Sequence, residues 1–75
     1  MSKSTKKISK SYKHAVKALG DFVLDYSEIA WQRGEPRWFI GRGRVAGNTS
    51  PIPSGLHRTP QEAWRAAAVA LGVAK

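Results

Sequence analysis

Residues 28–41 read EIAWQRGEPRWFIG, and the fold turns on whether the two halves of this stretch face one another. "EIAWQ" and "RWFIG" are short and aromatic, and they flank "RGEP", a turn sequence. A four-residue loop from Arg33 to Pro36 sets Gln32 opposite Arg37, Trp31 opposite Trp38 and Ile29 opposite Ile40. A two-residue Gly34–Glu35 turn gives the same register but needs an amide hydrogen at position 36, which Pro36 lacks, so the longer loop is expected. One face of this hairpin carries Ile29, Trp31, Trp38 and Ile40; the other carries Ala30 and Phe39. A cross-strand Trp pair beside an Ile pair makes a half-buried sheet face of the kind that holds a helix, so the pair is assigned to the core. The rival reading, an exposed platform on which bases stack, needs those rings in solvent.

Past the hairpin, Arg42 and Arg44 continue the face of Trp38 and Ile40, so the strand begins apolar and ends cationic. With Arg37 they form the expected partner-binding face, since arginine and aromatic residues are favoured as anchors. The plain alternative for each is a sheet edge guarded by charge. Gly41, Gly43 and Gly47 permit a close approach or a bulge. "AGNTSPIPSGL", residues 46–56, is a turn-rich connection with room for a short edge strand near Ile52 or Leu56.

Before the hairpin, Tyr12, Ala15, Val16, Leu19, Phe22, Val23 and Tyr26 recur at steps of three and four and draw one stripe down a helix, with Ser11 as N-cap. The competing reading makes "DFVLDY", residues 21–26, a strand; the helical stripe is the longer pattern and is adopted. At the other end, "TPQE" offers Thr59 as N-cap, Pro60 at the first helical position and Glu62 placed for a capping box. "AWRAAAVAL" then continues on strong helix formers, with Trp64, Ala67, Ala68 and Leu71 as the buried stripe and Gly72 as the stop. These elements predict an α+β domain over residues 11–75: a helix, a β-hairpin or small antiparallel sheet, and a C-terminal helix packed on one sheet face.

Ahead of that domain, "MSKSTKKISK", residues 1–10, is read as a disordered basic arm, because it holds too little apolar surface to repay the entropy of ordering it. Lys3, Lys6, Lys7 and Lys10 make it an electrostatic arm. Residues 1–17 carry six lysines and no acid, +6, out of a net charge of +8 for the 75-residue chain. An acidic surface or a polyanion is attracted mainly by that segment, without regard to sequence.

Chemistry of other kinds is poorly provided for. The chain has no cysteine, its two histidines, His14 and His57, are far apart in sequence, and its five carboxylates show no spacing that marks a paired acid and base. "GRGRVAG" has the glycines of a phosphate loop but lacks the lysine and the helix start. The expectation is a non-catalytic binder that needs no cofactor and no metal, is monomeric, and carries no segment for a membrane.

Two resemblances bear on what it binds. The order helix, sheet, Ala-rich helix resembles the double-stranded-RNA-binding domain, and "TPQEAWRAAAVAL" is similar to that family's terminal helix. The family places lysines at the start of that helix to straddle phosphates, whereas here stand Thr59, Pro60, Gln61 and Glu62, and an acid repels phosphate. Residues 28–72, "W…RWFIGRGRV…TPQEAWRAAAVALG", resemble small bacteriophage-encoded regulatory proteins, among them transcription regulators that bind host RNA polymerase. That resemblance implies a regulator that binds a host protein complex in the bacterial cytoplasm, RNA polymerase first, and inhibits or redirects transcription. The alternatives are a basic accessory protein that binds DNA or RNA phosphates, and an inhibitor of a bacterial defence complex.

Overall fold

The computed structural model describes residues 12–74. The lysines of the basic arm and the Ser11 N-cap lie outside the described residues. Helical residues 12–17 belong to α1; β1 (Phe22–Tyr26), α2 (Glu28–Gln32), β2 (Trp38–Arg42), β3 (Ser50–Pro51) and α3 (Pro60–Ala70) follow. The strands form one antiparallel sheet in the order β1-β2-β3, with α3 packed on it, which is the expected α+β architecture.

The sheet is assembled differently from the hairpin expected around Arg33–Pro36. The partner of β2 is β1: Phe22 pairs with Arg42, Leu24 with Ile40 and Tyr26 with Trp38. "DFVLDY" is therefore a strand, not the end of a helix twelve to twenty-six residues into the chain. Phe22, Leu24 and Tyr26 alternate with Val23 and Asp25, and this period-two pattern prevails because β2 supplies five residues of ladder beside it. Helix α1 stops early, its last turn tightening through Leu19 N–H to Val16 C=O (3.0 Å) before the chain turns at Gly20.

"EIAWQ" is likewise not a strand but α2, a single short helix lodged in the connection from β1 to β2. Its ends are made by the residues that flank it. Ser27 is the N-cap, its hydroxyl accepting from the Ala30 amide at 3.3 Å, and Glu28 complements the dipole in the first turn. At the other end Gly34, at φ +70°, takes the left-handed conformation that closes a helix: its amide donates to Trp31 C=O at 3.1 Å and the Glu35 amide to Ala30 C=O at 2.9 Å. Arg33-Gly34 is thus a helix stop, and the expected pairs Gln32/Arg37, Trp31/Trp38 and Ile29/Ile40 do not form a ladder. Immediately beyond the ladder, Ser27 N–H donates to Arg37 C=O at 2.9 Å, so α2 stands as an insertion at the end of an unbroken β1/β2 pair.

On its other side β2 pairs with β3 at Gly41/Pro51 and Arg42/Ser50 and, after a break, with His57 opposite Trp38. The edge strand expected near Ile52 is thus present but interrupted where Pro51 and Pro53 remove donors. The core lies between the sheet and the helices. Val16, Phe22, Ile40, Ile52, Ala63, Trp64, Ala67 and Ala68 form it, with Tyr12, Leu24, Trp38 and Leu71 packed around. Helix α3 starts and stops as expected: the Thr59 hydroxyl accepts from the Glu62 amide at 3.2 Å, which is half of the expected capping box, Pro60 opens the first turn, and Leu71-Gly72 closes the last, while the buried stripe is Ala63, Trp64, Ala67 and Ala68, with Leu71 only half-buried.

Candidate macromolecule-binding surface

The insertion of α2 places Trp31 beside the end of the β1/β2 ladder, where Tyr26 and Trp38 already face each other. The three rings meet one another, Tyr26 and Trp31 tilted at 5.5 Å, and Tyr26 to Trp38 at 5.8 Å and Trp31 to Trp38 at 6.2 Å edge to face, between centroids. Each such pair adds about 0.5–1.5 kcal/mol beyond the area it buries, so the rings hold one another in fixed orientation. Arg37 lays its guanidinium over the Trp31 ring at 4.5 Å and donates through Nε to Glu35 C=O at 3.3 Å.

The Trp pair expected in the core is divided by this arrangement. Trp38 packs against the core, whereas Trp31 is 50% exposed, Tyr26 47% and Ile29 65%. A helix presents its residues around a circle, and Ala30 is the only residue of α2 turned fully inward, which leaves Ile29 and Trp31 to solvent. Ile29, two positions from Trp31 on the helix, is exposed on another side of α2, and the outcome is an aromatic face of Tyr26, Trp31 and Trp38 bordered by Arg37. Its immediate sequence, residues 26–38, holds Glu28, Arg33, Glu35 and Arg37, two charges of each sign.

Arg42 and Arg44 lie at the opposite end of β2 from Arg37, separated by about 17 Å of extended chain for five strand residues. The single face expected of the three arginines is therefore two surfaces. Arg42 is exposed and sits 5.4 Å from the centroid of the Phe22 ring. Arg44 donates to Asp21 at 3.2 Å, an exposed pair of small energetic value.

Beneath Arg44 the loop of residues 43–49 is fastened to the sheet by Asp25. Its Oδ2 accepts from the Gly47 amide at 2.9 Å and the Thr49 hydroxyl at 2.7 Å, and Oδ1 from the Tyr26 amide at 2.8 Å. Burial pushes the Asp25 carboxyl up, but the bonds from Gly47, Thr49 and Tyr26 outweigh it and hold the group below the usual carboxylate range. Gly41 completes the seat: a Cβ there would overlap the Thr49 side chain.

Sequence reading missed Tyr26 and Ile29 as surface residues. The signal that finds them is S-E-I-A-W-Q-R-G, residues 27–34, a helix capped at both ends by Ser27 and Gly34. Among the described residues, no group of three or more His, Asp or Glu could hold a metal ion, and no helix is long and apolar enough to cross a membrane. Comparison with protein-family models, curated proteins and solved structures yields no match.

Proposed function

We propose that this protein is a non-catalytic regulator that binds a large host protein machine through the face formed by Tyr26, Trp31, Arg37 and Trp38. The observation that carries this reading is the half-exposed, mutually braced aromatic cluster in a charge-balanced setting. Tyrosine, tryptophan and arginine supply most of the energy in protein interfaces, and a braced ring loses little entropy on docking. A phosphate-binding surface needs an excess of cations, which residues 26–38 do not hold.

Bacterial RNA polymerase is the first target, through the resemblance of residues 28–72 to small phage transcription regulators, and the effect is to inhibit or redirect transcription in the bacterial cytoplasm. A compact domain suffices for this, since a stable contact needs about 800 Å² per partner. The basic arm, with Lys3, Lys6, Lys7 and Lys10, then speeds encounter with an acidic surface or nearby nucleic acid. A defence complex would be engaged by the same physics.

The test is capture from a bacterial lysate on immobilised protein, with and without nuclease, using the native chain and Trp31→Ala. Polymerase subunits held in stoichiometric amounts after nuclease and lost with Trp31→Ala support the reading. Nucleic acid recovered alone, with every protein released by nuclease, overturns it. The second reading, direct phosphate binding, is favoured by the placement of Arg42 at an exposed strand end and Arg44 in the loop beyond it, away from the aromatic face. That mode loses about a thousandfold in affinity between roughly 50 and 200 mM salt for six phosphate contacts, whereas an aromatic protein interface changes far less.

A further inference from the structure

A second surface, on the helices and away from the aromatic face, has the makings of a recognition groove. Its walls are Tyr12, Lys13, His14 and Lys17 from α1 and Gln61, Glu62 and Arg65 from α3, with Trp64 at its base and a volume of about 730 Å³. That is within the size range of preformed ligand sites. The floor is aromatic: Trp64 is otherwise packed into the core, at 8% exposure. Lys13 and Lys17 each bring an ammonium to 5.9 Å from the centroid of the Trp64 ring.

Two features mark this arrangement as more than a solvated helix surface. Like charges four residues apart on a helix repel by about 0.2–0.5 kcal/mol, and the shared ring, worth about 0.5–1 kcal/mol to each ammonium, is what holds both at this rim. Among the described residues neither lysine forms an ion pair, the pair there being Arg44–Asp21. Arg65 on the facing wall adds a third cation to a groove with one acid, Glu62.

We propose that this groove binds an acidic peptide segment bearing an apolar side chain, the carboxylates meeting Lys13, Lys17 and Arg65 and the apolar group lying over Trp64. A peptide is favoured over a phosphodiester strand by Glu62 and Gln61. A carboxylate and an amide oxygen can accept from the N–H groups of a peptide backbone, while a phosphate backbone offers no donor and is repelled by the acid. The site is separate from the aromatic face and includes none of its residues.

The experiment is fluorescence anisotropy at about 100 mM salt, where charges more than about 10 Å apart are screened. The full chain is titrated against a labelled twelve-residue peptide that alternates Glu or Asp with Leu and Phe. Lys13→Glu/Lys17→Glu is expected to weaken binding at least tenfold and Arg65→Glu at least threefold. Arg42→Glu/Arg44→Glu, which changes net charge as much as the double lysine variant, is expected to change it less than twofold. Circular dichroism checks that each variant is folded, and Arg65→Glu, on a separate helix, provides a second probe of the groove if the α1 variant is not. Equal loss with Arg42→Glu/Arg44→Glu, equal binding of a polyglutamate of the same charge, displacement by an oligothymidylate at lower concentration than by unlabelled peptide, or no binding at millimolar peptide would each overturn the proposal. Because Trp31 is untouched, such a result leaves the lysate capture experiment to judge the aromatic face on its own.

Discussion

The two ends of β2 are built on opposite principles. At the Trp38 end the chain inserts a capped helical turn and leaves Tyr26, Ile29 and Trp31 in solvent, the two rings held by contact with each other and with Arg37. At the Arg42 end it spends glycines and a buried carboxylate on seating a loop against the sheet, and what it exposes is Arg42, Arg44 and the lone apolar Val45, with no aromatic ring. Exposed aromatic area costs solubility and gives little stability, so its retention in a small domain points to binding. A buried Asp with three hydrogen bonds, by contrast, serves the fold. The difference teaches where mutations should separate stability from recognition.

The strongest way to break this contrast is at the structural end. Gly41→Val must push Thr49 aside and lift the loop of residues 43–49, at a cost of about 3 kcal/mol. That is a fall in Tm of about 12 °C or more for a domain of this size, measured by thermal denaturation. A Tm unchanged from the native chain would mean that the loop seat is not structural.

At the recognition end, Trp31→Ala should weaken partner capture by about 2 kcal/mol, near thirtyfold, while costing the fold about 1 kcal/mol through the lost ring contacts. Capture measured by surface binding, set beside the melting curve, tests the separation; equal losses in both would make Trp31 a core residue.

Asp25→Asn sharpens the contrast through pH. Because its folded pKa lies below its unfolded value, the Asp25 carboxylate contributes stability in full above the usual carboxylate pKa, and this is lost as pH falls through the folded value. The Asn variant should be about 1–2 kcal/mol less stable at neutral pH and should lose less than the native chain on acidification. Denaturant unfolding at pH 7 and near pH 3 checks this, and parallel acid profiles would show that the clip does not depend on the charge.

The smallest effect is expected from Arg44→Ala, which removes one exposed ion pair. Its Tm should stay within about 2 °C of the native value. If it also leaves capture unchanged while Trp31→Ala abolishes it, the cationic end is a solvated edge and the aromatic end is the binding face.

The bounds and cap of residues 59–72 were legible because those signals are local: Thr59 caps, Pro60 starts, alanines propagate and Leu71-Gly72 closes, whatever the rest of the chain does; which side is buried depends on the sheet, and Ala63 takes the place expected of Leu71. The fold class followed from the same kind of evidence. Residues 21–42 were not legible in the same way. "DFVLDY" fits both a helical stripe, the longer pattern, and a strand alternation, and only the ladder offered by β2 chooses the strand. "EIAWQ" has the composition of a strand, but β2 can take one antiparallel neighbour on that side, and β1 holds the place. The cost of displacing five ladder residues leaves "EIAWQ" to close on itself between Ser27 and Gly34. That competition for backbone hydrogen bonds, which no local pattern records, turned Trp31 from a core residue into part of a surface. The sequence by itself determined the charge, the terminal helix and the α+β class; tertiary structure decided which strands pair and therefore which rings face the solvent.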